Sequence, residues 1–291
     1  MSVNPTNKKP GEVQTTGHSW DGIEELDTPM PRWWLWTFYV CILWAVAYSV
    51  LYPAWPLVAK ATPGLLGYST RQALEQDLKD FDASHAEISQ KLVETELAQV
   101  IADPDLRQYA TSAGAAVFRT NCIQCHGSGA AGGKGYPNLL DDDWLHGGTI
   151  EAIHQTIQHG IRVEADPDTR ASLAMPNWSE MIEPQEITDV VQYVLRLSGQ
   201  AHDEASATAG AEVFANNCVA CHGEDGKGNL DAGAPNLTDA IWLYGGDEAT
   251  LTQTITNGRA GVMPSWSLNN RLSEADIRSV AVYVHGLGGG Q

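Results

Sequence analysis

The longest apolar feature of the chain lies near its amino end. Residues 33–59 carry no charged side chain, and Trp33–Leu51 is an apolar run relieved only by Thr37 and Ser49. About 20 helical residues cross a bilayer core, so this run predicts a single transmembrane helix. Trp33, Trp34 and Trp36 suit one interface, and Tyr48, Tyr52 and Trp55 the other. Pro53 and Pro56 mark its expected stop. Ala59-Lys60-Ala61 resembles a leader-peptide cleavage site. The run is too long for a leader, however, and its preceding segment lacks a basic start, so an uncleaved anchor over 32–59 is expected.

Residues 1–31 read as a polar tail rich in Pro, Gly and Thr. Within it, HSWDGIEELDTPMPRWW mixes acids with Trp20, Ile23 and Leu26. Residues 60–105 read as a linker whose part 70–101 has a polar helical pattern. Leu74, Leu78 and Phe81 stand at helical spacing there, and Pro104 is its expected stop.

Beyond residue 105 the chain repeats itself, which is its strongest structural signal. SAGAAVFRTNCIQCHG (112–127) matches TAGAEVFANNCVACHG (208–223), and PNLLDDDWLHGG (137–148) matches PNLTDAIWLYGG (235–246). QTIQHG (155–160) matches QTITNG (253–258), and MPNW (175–178) matches MPSW (263–266). The stripe Ile187, Val191, Val194, Leu197 returns as Ile277, Ala281, Val284, Leu287. Each unit reads helix, Cys-x-x-Cys-His, loop, short helix, Met loop, helix, with no convincing strand. The first copy holds an extra stretch before its MPNW. The expected fold class is all-α: one amino-terminal transmembrane helix followed by two tandem helical domains, over 106–199 and 206–288.

Cys-x-x-Cys-His is the attachment signature of c-type haem. Cys122 and Cys125, and again Cys218 and Cys221, are spaced to bond the two vinyl groups of one porphyrin, which gives two covalently bound haem c groups. His126 and His222 then supply the proximal imidazoles. A zinc site wants a second ligand pair at close spacing, and a redox dithiol has no use for the trailing His. On the opposite axial side Met175 and Met263 are the natural candidates, each in a Met-Pro-x-Trp turn. Pairing within a repeat puts His126 with Met175 and His222 with Met263. Met181, His154 and His159 lie near enough in sequence to compete with Met175. The Pro137 and Pro235 turns fall where a carbonyl would orient each proximal imidazole. Trp144, Trp242, Trp178 and Trp266 are expected to wall the haems or to belong to the core. His85, His146, His202 and His285 have no repeated counterpart and read as ordinary surface or core residues. Cys41, in the apolar run, reads as a small buried hydrophobe. Nothing resembles a nucleophile with its base, a phosphate loop or a carboxylate pair, so no catalytic residue is expected.

Composition adds one restriction. With 17 basic against 36 acidic residues, nucleic acid is excluded as a partner, whereas a basic protein fits. The acidity is spread along the chain, which equally suits a solvated surface.

Two tandem Met/His class I cytochrome c domains, over 106–199 and 206–288, with one amino-terminal anchor and the motif WDGIEELDTPMPRWW, together resemble the dihaem subunit III (CcoP/FixP) family of bacterial cbb3-type cytochrome c oxidases. The resemblance implies a membrane-anchored carrier passing electrons from a donor c-type cytochrome toward an oxygen-reducing core. It implies a catalytic b-type haem and copper subunit and a monohaem cytochrome c subunit as partners. Oxygen reduction and proton pumping would belong to that core, not to this chain. Covalent haem is assembled outside the bacterial cytoplasm, so the haem domains are expected in the periplasm and the amino terminus in the cytoplasm, across the inner membrane. Other readings are the dihaem subunit of a periplasmic dehydrogenase and a dihaem peroxidase.

Overall fold

The computed structural model describes residues 13, 15–170 and 173–289. Lys8 and Lys9, which bear on the anchor's orientation, lie outside the described residues. The chain forms two compact units, residues 1–84 and 85–291.

The first unit opens with something the sequence reading omits, an antiparallel hairpin of β1 (Thr15–Trp20) and β2 (Ile23–Leu26). Its two-residue turn is Asp21-Gly22, with φ of 49° and 86°, and Asp-Gly is the pair that accepts two successive positive φ angles. Trp20 pairs with Ile23 across it, and Trp20, Ile23 and Leu26 are all exposed. Then α1 (Arg32–Leu51) runs for 20 residues, about 30 Å at 1.5 Å per residue, with none of them buried. It ends where Tyr52 turns extended ahead of Pro53. The N–H groups of Leu65 and Leu66 return to the carbonyls of Val50 and Leu51 at 3.0 Å, satisfying two acceptors that a helix end leaves open. Cys41, expected to be buried, is exposed on α1, because no element of the chain packs over that face.

α2 (Thr70–Glu94) carries the chain into the second unit and breaks at Thr95–Glu96 before α3 (Leu97–Ala102). Since α3 ends at Ala102 and Asp103 is extended ahead of the proline, Pro104 marks the stop as expected. It is the first residue of α4 (Pro104–Asn121), where its missing N–H costs nothing, and the Asp103 carboxylate caps the N–H groups of Asp105 and Leu106. The linker expected over 60–105 is therefore only partly a linker. Leu92, Leu97 and Val100 are buried in a core with Leu106, Ala110 and Phe118 of α4, and the Arg278 guanidinium binds the carbonyls of Leu92 and Thr95.

α5 (Ile123–His126), α6 (Ile150–His159), α7 (Pro184–Leu197), α8 (Glu204–Asn217), α9 (Val219–His222), α10 (Glu248–Asn257) and α11 (Glu274–His285) complete the unit. Their partners differ from those expected for contiguous domains. α4 and α6 pack on α11, the last helix of the second repeat, whereas α7, the last helix of the first repeat, packs on α8 and α10. One core joins Phe118, Ile150, Ile153 and Ile157 to Ile277, Val280, Ala281 and Val284. The other joins Ile187, Val190, Val191 and Val194 to Val213, Phe214, Leu251 and Ile255. Globule B is thus the continuous stretch from the Met175 loop through α10. It is inserted into globule A between α6 and the Met263 loop.

Connection length explains this arrangement. Only residues 198–203 separate α7 from α8, and a connection that short favours antiparallel neighbours. The first repeat's extra stretch lets the chain leave α6 for globule B. Where the first and last helices cross, a Cβ at Gly114 would meet the Ser279 backbone and Tyr283, and one at Gly210 the backbone of Asp189 and Val190.

Candidate functional site

Each Cys-x-x-Cys-His pentad ends a helix and begins a tight loop. The imidazole of His126 shares a hydrogen bond with the Pro137 carbonyl through Nδ1 at 3.1 Å, and His222 does the same with Pro235 at 3.2 Å. The turns that present these carbonyls are built by their own residues. Asn138 accepts from the Leu140 N–H and Asn236 from the Thr238 N–H, while Leu139 and Leu237 enter the cores. Burial pushes both imidazoles below their ordinary pKa, the carbonyl bond opposing it. Each is then neutral, with Nδ1–H donated away and Nε2 left for a metal. Burial, with the neighbouring thiol adding, also pushes the Cys122 and Cys218 thiols up to about 11.

A continuous cavity of about 1030 Å³ is lined by both pentads, Met175, Met263, Trp144, Trp242, Trp178 and Trp266. Its walls are mostly apolar side chains, as a porphyrin face requires. Met263 packs against the core that holds Cys122, Trp144 and Trp266, and Met175 against the core that holds Cys218, Trp242 and Trp178. Backbone bonding repeats the pattern. Ile161, just after α6, exchanges N–H···O=C bonds with Met263 at 2.9 and 3.3 Å, and Arg259, just after α10, with Met175 at 3.0 and 2.9 Å. Gly160 and Gly258 make this possible. Both have positive φ, 67° and 71°, and a Cβ on either would strike the Met263-Pro264 or Met175-Pro176 backbone.

The packing does not follow the expected pairing of His126 with Met175 and His222 with Met263. Met263 belongs to the globule of His126, and Met175 to that of His222. The physical reason is the helix exchange, since each Met loop travels with the last helix that follows it. The competitors of Met175 lie elsewhere. Met181 is 54 % exposed, His154 is bonded to Glu274 at 3.0 Å, and His159 to Asp166 at 3.1 Å.

Three arginines, of which Arg162 and Arg259 line the cavity, were not singled out from the sequence. Arg170 donates to Thr156 Oγ1 (2.7 Å) in globule A, and Arg259 to Thr254 Oγ1 (3.1 and 2.8 Å) in globule B. Thr156 and Thr254 are repeat counterparts, but Arg259 aligns with Ile161 and Arg170 comes from the extra stretch, so alignment of the repeats hides the match. Arg162 donates to the Gly261 carbonyl. His146, half-buried and near Arg170 and Arg162, is pushed down to about 4, chiefly by desolvation. Tyr244, its repeat counterpart, instead lies under the Arg259 guanidinium, 4.2 Å from ring centre to carbon. The globules meet nearby, with the Gly135 N–H on the Leu243 carbonyl at 2.8 Å. Asp143 is pushed up to about 6, first by burial and then by Asp239, Asp141 and Asp142.

The donor set fits c-type haem: paired cysteines, a fixed neutral imidazole, a thioether and a mostly apolar cavity. Comparison with known proteins points the same way. Residues 12–59 match the family described as N-terminal domain of cytochrome oxidase-cbb3, FixP. Residues 110–194 and 205–284 each match the family of cytochrome c oxidase, cbb3-type, subunit III. A cbb3-type cytochrome c oxidase subunit CcoP from Cereibacter sphaeroides is 64 % identical over 100 % of both chains. One from Rhodobacter capsulatus is 62 % identical over 100 % of both. A subunit FixP from Azorhizobium caulinodans is 51 % identical over 97 % of this chain and 95 % of its own.

Proposed function

The chain belongs to the subunit III family of cbb3-type cytochrome c oxidases, and on that footing we propose that it is the oxidase's membrane-anchored electron carrier, holding two haem c groups. Haem c, when bound, supplies a reversible one-electron store. Cys122 and Cys125 would tether one group, with His126 and Met263 available to its iron. Cys218 and Cys221 would tether the other, with His222 and Met175 available. The neutral imidazoles, held by the Pro137 and Pro235 carbonyls, keep Nε2 aimed without rearrangement as the electron comes and goes. The thioether opposite favours ferrous iron and raises the potential. With a histidine and a methionine available to each iron, neither site would leave oxygen a place to bind, and oxygen would be reduced in another subunit. The observation that carries this reading is one continuous cavity lined by both pentads, which brings two redox sites close within one unit.

The partners that complete the path are a catalytic subunit with b-type haem and copper, a monohaem cytochrome c subunit and a donor c-type cytochrome. The excess of acidic residues suits a basic donor, whose docking weakens as salt rises. α1 crosses the inner membrane, with the hairpin on the cytoplasmic side and the haem globules in the periplasm, where covalent haem attachment takes place. Gentle purification of the tagged chain tests the assignment. Two haem c per chain, accompanied by b-type haem and copper, is the expected result. Recovery with a flavoprotein or quinoprotein instead, without copper, overturns it.

A further inference from the structure

The two Met loops are not held alike. In globule A the extra stretch after α6 folds back so that Asp166, 4 % exposed, faces the loop that follows Met263. Ser265, 2 % exposed and two residues beyond Met263, places Oγ 2.7 Å from Asp166 Oδ2 and 2.8 Å from the Gln158 carbonyl. A hydroxyl has one proton to give. The Gln158 carbonyl already accepts from Ser267 through Oγ (2.8 Å) and N–H (3.1 Å), so the Ser265 proton goes to the carboxylate. The other contacts of Asp166 fix its own place: the Asp168 N–H at 3.0 Å, and His159 Nδ1 at 3.1 and 3.2 Å from its two oxygens.

Globule B has no buried tie of this kind among the described residues. Asn177 occupies the position of Ser265; its side chain accepts from the Ser179 N–H (3.1 Å) and hydroxyl (2.6 Å) and donates to Glu180 Oε1 (3.2 Å), all within its own exposed turn. Asn257 stands where globule A has His159.

We propose that Asp166 is a positioning residue for the axial sulfur of Met263. Through Ser265 it pins the loop that carries the thioether, and it acts on one of the two haem sites only. The proposal rests on Met263 being an iron ligand, as read above. A hydrogen bond to a charged acceptor contributes more than a neutral one, and losing it lets the loop open about tenfold more often or beyond.

The test uses the full haem-loaded chain carrying Asp166→Ala, Asp166→Asn or Ser265→Ala. Three quantities are read: the long-wavelength charge-transfer band of ferric Met-ligated haem, the two haem c potentials, and the affinity for added imidazole, which displaces the thioether. Asp166→Ala and Ser265→Ala should each raise imidazole affinity at one haem by roughly tenfold and lower that haem's potential, leaving the other unchanged. Asp166→Asn, which keeps an acceptor for Ser265, should recover most of the difference. Unchanged imidazole affinity and potentials in both deletion variants overturn the proposal, as do equal shifts at both haems, which would mark general loosening. Met263→Ala is measured alongside. If it leaves both Met bands intact, the ligand assignment itself has failed, an outcome distinct from failure of the Asp166 role alone.

Discussion

Phe118 offers a way to measure the helix exchange without reference to iron. Its ring is 1 % exposed on α4 and lies 5.4 Å from the ring of Tyr283 on α11, at 52°. The repeat counterpart Phe214 lies 5.1 Å from Tyr193 on α7, at 50°. Contiguous domains would pair Phe118 with Tyr193 instead, because Tyr193 and Tyr283 hold the same place in the two repeats. Phe118→Ala removes a fully buried ring and should cost about 3–5 kcal/mol. Against this background, Tyr283→Leu should show a coupling of about 0.5–1.5 kcal/mol, the usual value for an aromatic pair, and Tyr193→Leu a coupling near zero. The assay is guanidinium unfolding of the haem-loaded chain, followed by the haem absorption of each single and double variant. Coupling of Phe118 to Tyr193, with none to Tyr283, would refute the packing described here.

Gly160→Ala and Gly258→Ala should each be destabilising by about 1–3 kcal/mol, since both combine a positive φ with a backbone collision. Ligand-displacement kinetics should show Gly160→Ala loosening the thioether of the His126 site and Gly258→Ala that of the His222 site. Asp143 titrates near 6 in the folded chain against an ordinary 3.8, so its ionisation opposes folding. That penalty is absent below pH 4, grows between pH 4 and pH 6, and is complete above. A pH series of melting temperatures should show Asp143→Asn gaining about 1 kcal/mol over the parent above pH 6, after allowance for solvent screening, and nothing below pH 4. An equal gain at both ends of the range would assign the effect to packing rather than charge.

What could be read from the residues alone was whatever is local. The pentads, the Pro137 and Pro235 turns and the MPxW loops each carry their chemistry in a few consecutive residues. The stop of α1 at Leu51 followed from Pro53 and Pro56. The hairpin was also local, and Asp21-Gly22 between Trp20 and Ile23 was its signal, outweighed by the polar composition around it. The exchange of α7 and α11 was not legible. Their apolar stripes are near copies, so α4 offers the same groove to either, and only the short 198–203 connection and the extra stretch of the first repeat discriminate. Asp166 and Arg170 lie in that stretch, where the other repeat has no counterpart to compare. Leu92, Leu97 and Val100 belong to globule A although their surroundings read as a polar linker, because their buried face is narrow.

On the proposed assignment, each iron takes its imidazole from one repeat and its sulfur from the other. This assignment is tested most directly in a chain whose first haem cannot attach, Cys122→Ser with Cys125→Ser, so that the charge-transfer band reports only the haem on Cys218 and Cys221. Adding Met175→Ala should abolish that band, and adding Met263→Ala should leave it. The reverse result, loss with Met263→Ala and survival with Met175→Ala, would contradict the account.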